Sequence, residues 1–210
     1  WRPTGHRVPI VDGKYSIECY IRALEGTCDH LRSNLGVEKG KLFEMLDYVI
    51  YHMPFSNMAK KAHRHLIDLE YDGLNPEAKE QLYAETFPRM VEPGLLGARE
   101  VGNIYTGSVY MGLISLLETE GEKAEGKQVG LFSYGSGCGA EFFLCRIKTG
   151  IRDLIKGLRF KEQLDRRKKV TFEKYMQTYS KSSEEIFYYP VEIEAYKDSF
   201  TRFVFTGFKD

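Results

Sequence analysis

An apolar run, Asp47-Tyr48-Val49-Ile50-Tyr51-His52, meets Met53-Pro54 and stops. Beyond it Phe55, Met58, Ala62, Leu66 and Leu69 recur every three or four residues. The run has the β-branched and aromatic make-up of a strand buried on both faces. The stepping after it is that of a helix with one buried stripe. Proline disfavours helical dihedrals in the residue before it and supplies no N–H, so one element ends and the next begins within a few residues. A strand that turns at once into an amphipathic helix has to lay that helix back on its sheet, which places the chain in the α/β class. The same junction leaves the imidazole of His52 at a strand end, facing whatever lies above the sheet.

The rest of the chain reads compatibly. Residues 1–14 are loop, punctuated by Pro3, Gly5, Pro9 and Gly13. Residues 15–34 predict a helix with Ser16 as cap and Ile17, Tyr20, Ile21 and Leu24 on one face. Shorter helices are expected over 76–86, after Pro76, and from Ile104 to Glu118 with Asn103 as cap. Gln128 to Tyr134 and Glu141 to Ile147 read as strands. Residues 151–181 read as basic helix that includes Leu164-Asp165-Arg166-Arg167-Lys168-Lys169, and Phe200 to Thr206 as a closing strand. Strands alternating with helices again indicate layered α/β.

With 210 residues, the chain has material for one sizeable core or two small ones. Thirty basic residues cancel thirty acidic ones, which argues against a dedicated nucleic-acid binder. No apolar run reaches the roughly 18 residues of a membrane span, and no basic-then-apolar signal segment is present. The four cysteines, Cys19, Cys28, Cys138 and Cys145, lack Cys-x-x-Cys spacing and fit free thiols in a reducing compartment. His63 and His65 lie two apart on a helix and point away from each other, so they make no metal site. The chain opens within a loop at Trp1 and stops at Asp210 just after an apolar run, so it reads as a piece of a longer protein.

Several residues are candidates for chemistry, each with a plainer alternative. His52 is placed to act as a general acid or electrophile, or is a core histidine bonded to a backbone carbonyl. Lys60 and Arg64 share a helix face, as do Lys61 and His65; the cluster binds a phosphate or is a solvated face. Asn103 caps a helix or donates its amide to a substrate carbonyl, and the same atoms in one rotamer cannot do both. Phe132-Ser133-Tyr134-Gly135-Ser136-Gly137-Cys138-Gly139 is a glycine-rich turn of the kind that brings backbone N–H groups close to a ligand. Gly135-x-Gly137-x-x-Ala140 mimics a dinucleotide fingerprint, but Glu141 to Cys145 favours a strand where the fingerprint needs a helix. Tyr134 stands where a nucleophile elbow needs glycine, so Ser136 is a poor nucleophile. Cys138 has no adjacent base and no following helix start, and reads as a packed cysteine at the sheet edge.

Four segments in order, Trp1-Arg2-Pro3-Thr4-Gly5-His6 with Val11-Asp12-Gly13, Tyr51 to Phe55, Gly102 to Ser108, and Phe132 to Gly137, resemble the hydroxymethylglutaryl-CoA synthase family. The resemblance implies a thiolase-like fold: two similar α/β halves, layered α–β–α–β–α, in a cytoplasmic homodimer. Residues 1–210 would be the C-terminal half. The family's nucleophilic cysteine and glutamate base belong to the N-terminal half, so this chain alone is expected to be inactive and none of its cysteines to be the nucleophile.

In the implied reaction, an acetyl group on the missing cysteine loses a methyl proton to the missing glutamate. The carbanion adds to the β-keto carbon of an acetoacetyl thioester, and the hydroxymethylglutaryl product is hydrolysed off the enzyme. His52 would polarise the ketone and protonate the developing alkoxide. Asn103 would bond an acyl oxygen. Tyr105, Tyr134 and Ser136 would lie near the acyl pocket, with Pro54 and Phe55 on the histidine's own motif. Gly135 and Gly137 would let the backbone approach the thioester. Lys60, Lys61 and Arg64 would lie toward the phosphates of the pantetheine arm. No metal and no tightly bound cofactor is implied; CoA or a phosphopantetheine carries the substrate.

Two branches of the family are in play. One uses acetyl-CoA and acetoacetyl-CoA to feed mevalonate synthesis, and Trp1 to Gly13 with Gly102 to Ser108 looks like its bacterial members. The other works in polyketide β-branching, where donor and acceptor ride on acyl carrier proteins. Tyr51 to Phe55 with Lys61-Ala62-His63-Arg64, Gly137 to Phe143, and Leu164 to Arg167 with Glu173-Lys174-Tyr175 look like that branch, which is the preferred reading. Arg64 and the run Arg166 to Lys169 would suit an acidic carrier protein. A non-catalytic carrier-protein-binding module is the alternative of another class, and the retained His52, Asn103 and glycine turn argue against it.

Overall fold

In a computed structural model of the chain, residues 5, 12–135 and 137–185 are described, with side chains as far as residue 178. Ser136, most of the opening loop and the strand expected at Phe200 to Thr206 lie outside the described residues. The chain divides into two compact units, Trp1–Asp165 and Arg166–Asp210. The first runs α1 (Gly13–Leu35), α2 (Lys41–Glu44), β1 (Tyr48–Tyr51), α3 (Ser56–Glu70), α4 (Pro76–Met90), α5 (Leu96–Glu100) and α6 (Ser108–Glu120). It continues through β2 (Gln128–Tyr134), β3 (Ala140–Arg146), α7 (Arg152–Leu158) and α8 (Phe160–Asp165). In the second unit the described helix is α9 (Phe172–Glu185).

Among the described residues the strands form one sheet in the order β1-β2-β3. β1 is parallel to β2, with Tyr48 opposite Val129 and Tyr51 opposite Phe132. β3 returns antiparallel to β2 through a hairpin closed by Tyr134 and Ala140. All four β1 residues are buried, on alternating faces. Val49 and Tyr51 enter a core with Tyr20 and Leu24 of α1, Met58 and Leu66 of α3, and Phe87 and Met90 of α4. Tyr48 and Ile50 enter a second core with Val109 and Leu116 of α6. β2 alternates likewise, Phe132 and Tyr134 to the first core and Val129 and Leu131 to the second. Helices therefore cover both faces, which is why the run reads as continuously apolar. α6 lies tight on β1 because Gly112 has no side chain: a Cβ there would come within 2.5 Å of Ile50 Cγ2.

Several boundaries differ from the sequence reading. α1 begins at Gly13, and its cap is Asp12, whose carboxylate accepts from Tyr15 N–H at 2.9 Å; the Ser16 hydroxyl instead donates back to Gly13 O. α4 continues past residue 86 to Met90 despite Pro88, because Phe87 and Met90 are buried and their packing outweighs one lost backbone bond. Asn103 does not cap an α-helix at Ile104; a 3₁₀ turn, Tyr105–Gly107, comes first and α6 starts at Ser108. The stripe on α3 is wider than expected, taking in Ala59, His63, Ile67 and Glu70, while Phe55 is exposed. β3 starts and ends one residue early. The region 151–181 is three helices, broken at Arg159, where the backbone turns left-handed (φ 43°), and again after Asp165. The run Arg166 to Lys169 is not helical, as four adjacent like charges would disfavour.

Candidate active site

Three elements fasten the end of β1. His52 N–H donates to Phe132 O of β2 at 2.7 Å. The hydroxyl of Tyr20, on α1, donates to His52 O at 2.8 Å. The next residue, Met53, donates its N–H to Ser108 Oγ at 3.1 Å, and that same oxygen lies 2.9 Å from His52 Nδ1. The imidazole packs beside a pair of phenol rings, 6.3 Å from Tyr20 and 6.0 Å from Tyr134, which are themselves 5.5 Å apart, centre to centre. Burial lowers its pKa to about 4, so the ring is neutral near pH 7.

A cleft of about 410 Å³ opens beside this ring. The strand-to-helix junction contributes His52, Pro54 and Phe55; the segment before α6 contributes Asn103 and Tyr105; the hairpin contributes Tyr134 and Gly135. Ser16, Ile17, Tyr20, Met58 and Thr106 complete the lining, and sequence reasoning did not assign them to a site. Tyr20 and Ile17 carried the right signal, since they share one face of α1, but such a stripe reads as core.

Asn103 commits one atom of its amide to the backbone. Its Oδ1 accepts from Tyr105 N–H at 2.7 Å, shaping the 3₁₀ turn. The acceptor edge is thus used, and the Nδ2 donors remain for the cleft. Tyr105 holds a left-handed backbone (φ 55°) and a largely exposed ring. Gly135 N–H donates to Gly139 O at 2.8 Å, closing the hairpin, and a Cβ at Gly135 would come 3.2 Å from Thr106 Cγ2. Glycine there lets the hairpin approach the turn that carries Asn103. β3 follows the glycines, so the dinucleotide fingerprint lacks its helix. Cys138 is half-buried in the hairpin and accepts a weak bond from Tyr134 O–H at 3.6 Å, as a packed cysteine would.

The three basic candidates are elsewhere. Lys60, Lys61 and Arg64 lie on the exposed face of α3, opposite the buried stripe, and none lines this cleft. Arg64 is clamped by both oxygens of Glu80 and lies 3.7 Å from the centre of the Tyr83 ring. It borders a separate groove of about 270 Å³ between α3 and α4.

A sheet covered on both faces, with a largely apolar cleft edged by a few polar side chains at the carboxyl ends of its parallel strands, defines a layered α/β protein whose cleft lies where such proteins bind ligands. The sequence matches the family model for the hydroxymethylglutaryl-coenzyme A synthase C terminal over residues 5–82 and 70–203. A curated hydroxymethylglutaryl-CoA synthase of Enterococcus faecalis is 37% identical over 175 residues, 83% of this chain and 42% of that protein. The chain belongs to the hydroxymethylglutaryl-CoA synthase family and spans about four-tenths of the length of these curated relatives.

Solved structures agree. MvaS in complex with 3-hydroxy-3-methylglutaryl coenzyme A superposes with a TM-score of 0.71 at 33% identity, over 84% of this chain and 46% of that one. The HMG synthase of the curacin biosynthetic pathway, in complex with holo donor-ACP, gives 0.72 at 28% identity, over 86% and 43%. The fold is thiolase-like, as the sequence resemblance implied.

Proposed function

We propose that this chain is the C-terminal half of a condensing acyltransferase that adds an enzyme-bound acetyl carbanion to the β-keto carbon of an acyl thioester. The observation that carries the reading is the His52 ring, fixed at the strand end beside a cleft that also takes Asn103 and Tyr134. In this reading His52 lies against the keto oxygen and stabilises the charge that develops there. Asn103 Nδ2 holds an acyl oxygen, while Tyr105, Tyr134, Gly135, Pro54 and Phe55 shape the acyl pocket; Ser136 would join them. The cysteine nucleophile and the glutamate base come from an N-terminal half, and the working enzyme is a homodimer. The test is His52→Ala in an enzyme of full family length: acetylation of the nucleophile survives and condensation is lost. Condensation at the parental rate would remove His52 from the mechanism.

The thioester carrier divides two readings. Among the solved structures, 33% identity to MvaS bound to 3-hydroxy-3-methylglutaryl coenzyme A, against 28% to the curacin enzyme, leans slightly toward CoA thioesters. The charge argument for a carrier protein is also weaker than the sequence implied, since Arg64 is already paired with Glu80. The motifs around His52 and Gly137 to Phe143 still favour the carrier-protein branch. On either carrier, Lys60 and Lys61 would meet phosphates outside the cleft. Intact-mass measurement of the full-length enzyme, offered acetyl-CoA or an acetylated carrier protein, separates these: the donor that labels it names the branch. No label from either would instead favour a non-catalytic binding module.

A further inference from the structure

Ser108, the first residue of α6, accepts from Met53 N–H at 3.1 Å and lies 2.9 Å from His52 Nδ1. A hydroxyl has one proton to give. Among the described hydrogen bonds the Ser108 proton has no acceptor except Nδ1, so Nδ1 accepts it. A neutral ring that accepts at Nδ1 carries its own proton on Nε2. Burial, which lowers the ring's pKa to about 4, acts in the same direction.

Building on the condensing-enzyme reading above, we propose that Ser108 is a positioning residue that holds His52 as the neutral Nε2–H tautomer, with that N–H presented to the substrate's ketone oxygen. As the carbon–carbon bond forms, the π pair of the ketone moves onto oxygen, and the intact Nε2–H bond holds the resulting oxyanion. The ring neither gains nor loses a proton; the one taken from the acetyl methyl completes the alcohol. A neutral donor suits this place, because an imidazolium would have to give up its hydration among buried side chains. The fold supports the geometry. Ser108 reaches both Met53 and His52 because Gly112, one helical turn further on, lets α6 lie against Ile50 and Met53.

The test is ¹⁵N NMR of histidine-labelled enzyme of full family length at pH 7. His52 is expected to show a protonated Nε2 and an unprotonated, hydrogen-bonded Nδ1. An imidazolium, or a proton on Nδ1, overturns the proposal without need of any variant. Ser108→Ala is expected to lose the single defined tautomer and to lower kcat for condensation about 10- to 100-fold, with KM and nucleophile acetylation little changed. Ser108→Thr, which keeps the hydroxyl, restores most of both. If Ser108→Ala keeps the parental ring signals and kcat while His52→Ala is dead, the role of Ser108 alone is wrong. If His52→Ala still condenses, the site reading fails and takes this role with it.

Discussion

His52 and His63 differ less than their positions lead one to expect. Both are buried, and both rings are held below the ordinary histidine range, His52 at about 4 by burial and His63 at about 3 by burial with the charge of Arg89 adding to it. Both have a hydroxyl against Nδ1: Ser108 for His52 at 2.9 Å, and Tyr51 for His63 at 3.0 Å. They part at Nε2. The Thr86 hydroxyl donates to Leu82 O at 2.6 Å, so its oxygen accepts from His63 Nε2–H at 2.9 Å. His63 therefore uses both nitrogens inside the core, while His52 keeps one for the cleft. Burial and a lowered pKa are common to both rings; an uncommitted nitrogen beside open space is what sets apart the imidazole proposed to work from the structural one.

Exchanging each ring for alanine breaks the comparison most sharply. His63→Ala removes a packed ring and strands the Tyr51 hydroxyl, which should cost about 3–5 kcal/mol of stability in urea unfolding. His52→Ala borders a cleft that water can enter, and should cost about 1–2 kcal/mol while condensation is lost. A stability loss at His52 as large as that at His63 would contradict the division of labour.

The sequence carried one side of this division and hid the other. His52 was legible because a strand-end histidine before a proline is a local pattern, and Asn103 because it opens a turn. Ser108 drew no role of its own from the sequence, since its partners are Met53 and His52, more than fifty positions away, and no periodicity encodes such a contact. Tyr20 was placed on one face of α1, which agrees with its buried ring and is silent about its hydroxyl on His52 O. Spacing paired Lys60 with Arg64 and Lys61 with His65 on helix faces, but which face meets the cleft depends on how α3 packs. The length of α4 was likewise decided by burial of Phe87 and Met90 rather than by Pro88.

Acid tests both rings together. An unfolded histidine takes a proton near pH 6.5, whereas His52 and His63 resist until about 4 and about 3. Below 6.5 the unfolded chain binds more protons than the folded one. The stability these neutral rings contribute is complete above that pH and falls as the pH drops toward the folded values. For one ring the loss between pH 6.5 and 5 is about 2 kcal/mol, from roughly 1.4 kcal/mol per unit. Urea midpoints across that range should decline in the parent and decline less steeply in His63→Gln. An equal slope in both would mean that His63 is not held neutral by the fold.

Thr86→Val offers the finest adjustment, because it makes His63 resemble His52 in one respect only. The swap keeps the branched shape and deletes the oxygen that accepts from Nε2–H, leaving that N–H uncommitted as it is in His52. Around His63, however, lie Phe43, Tyr83 and Phe87 rather than a cleft, so the freed N–H meets neither solvent nor substrate. The cost should be about 1–2 kcal/mol. ¹⁵N spectra should show Nε2 still protonated, since Tyr51 continues to donate to Nδ1. If the proton moves to Nδ1 instead, the neighbouring hydroxyl does not dictate the tautomer in this protein, and the same inference drawn from Ser108 for His52 loses its footing.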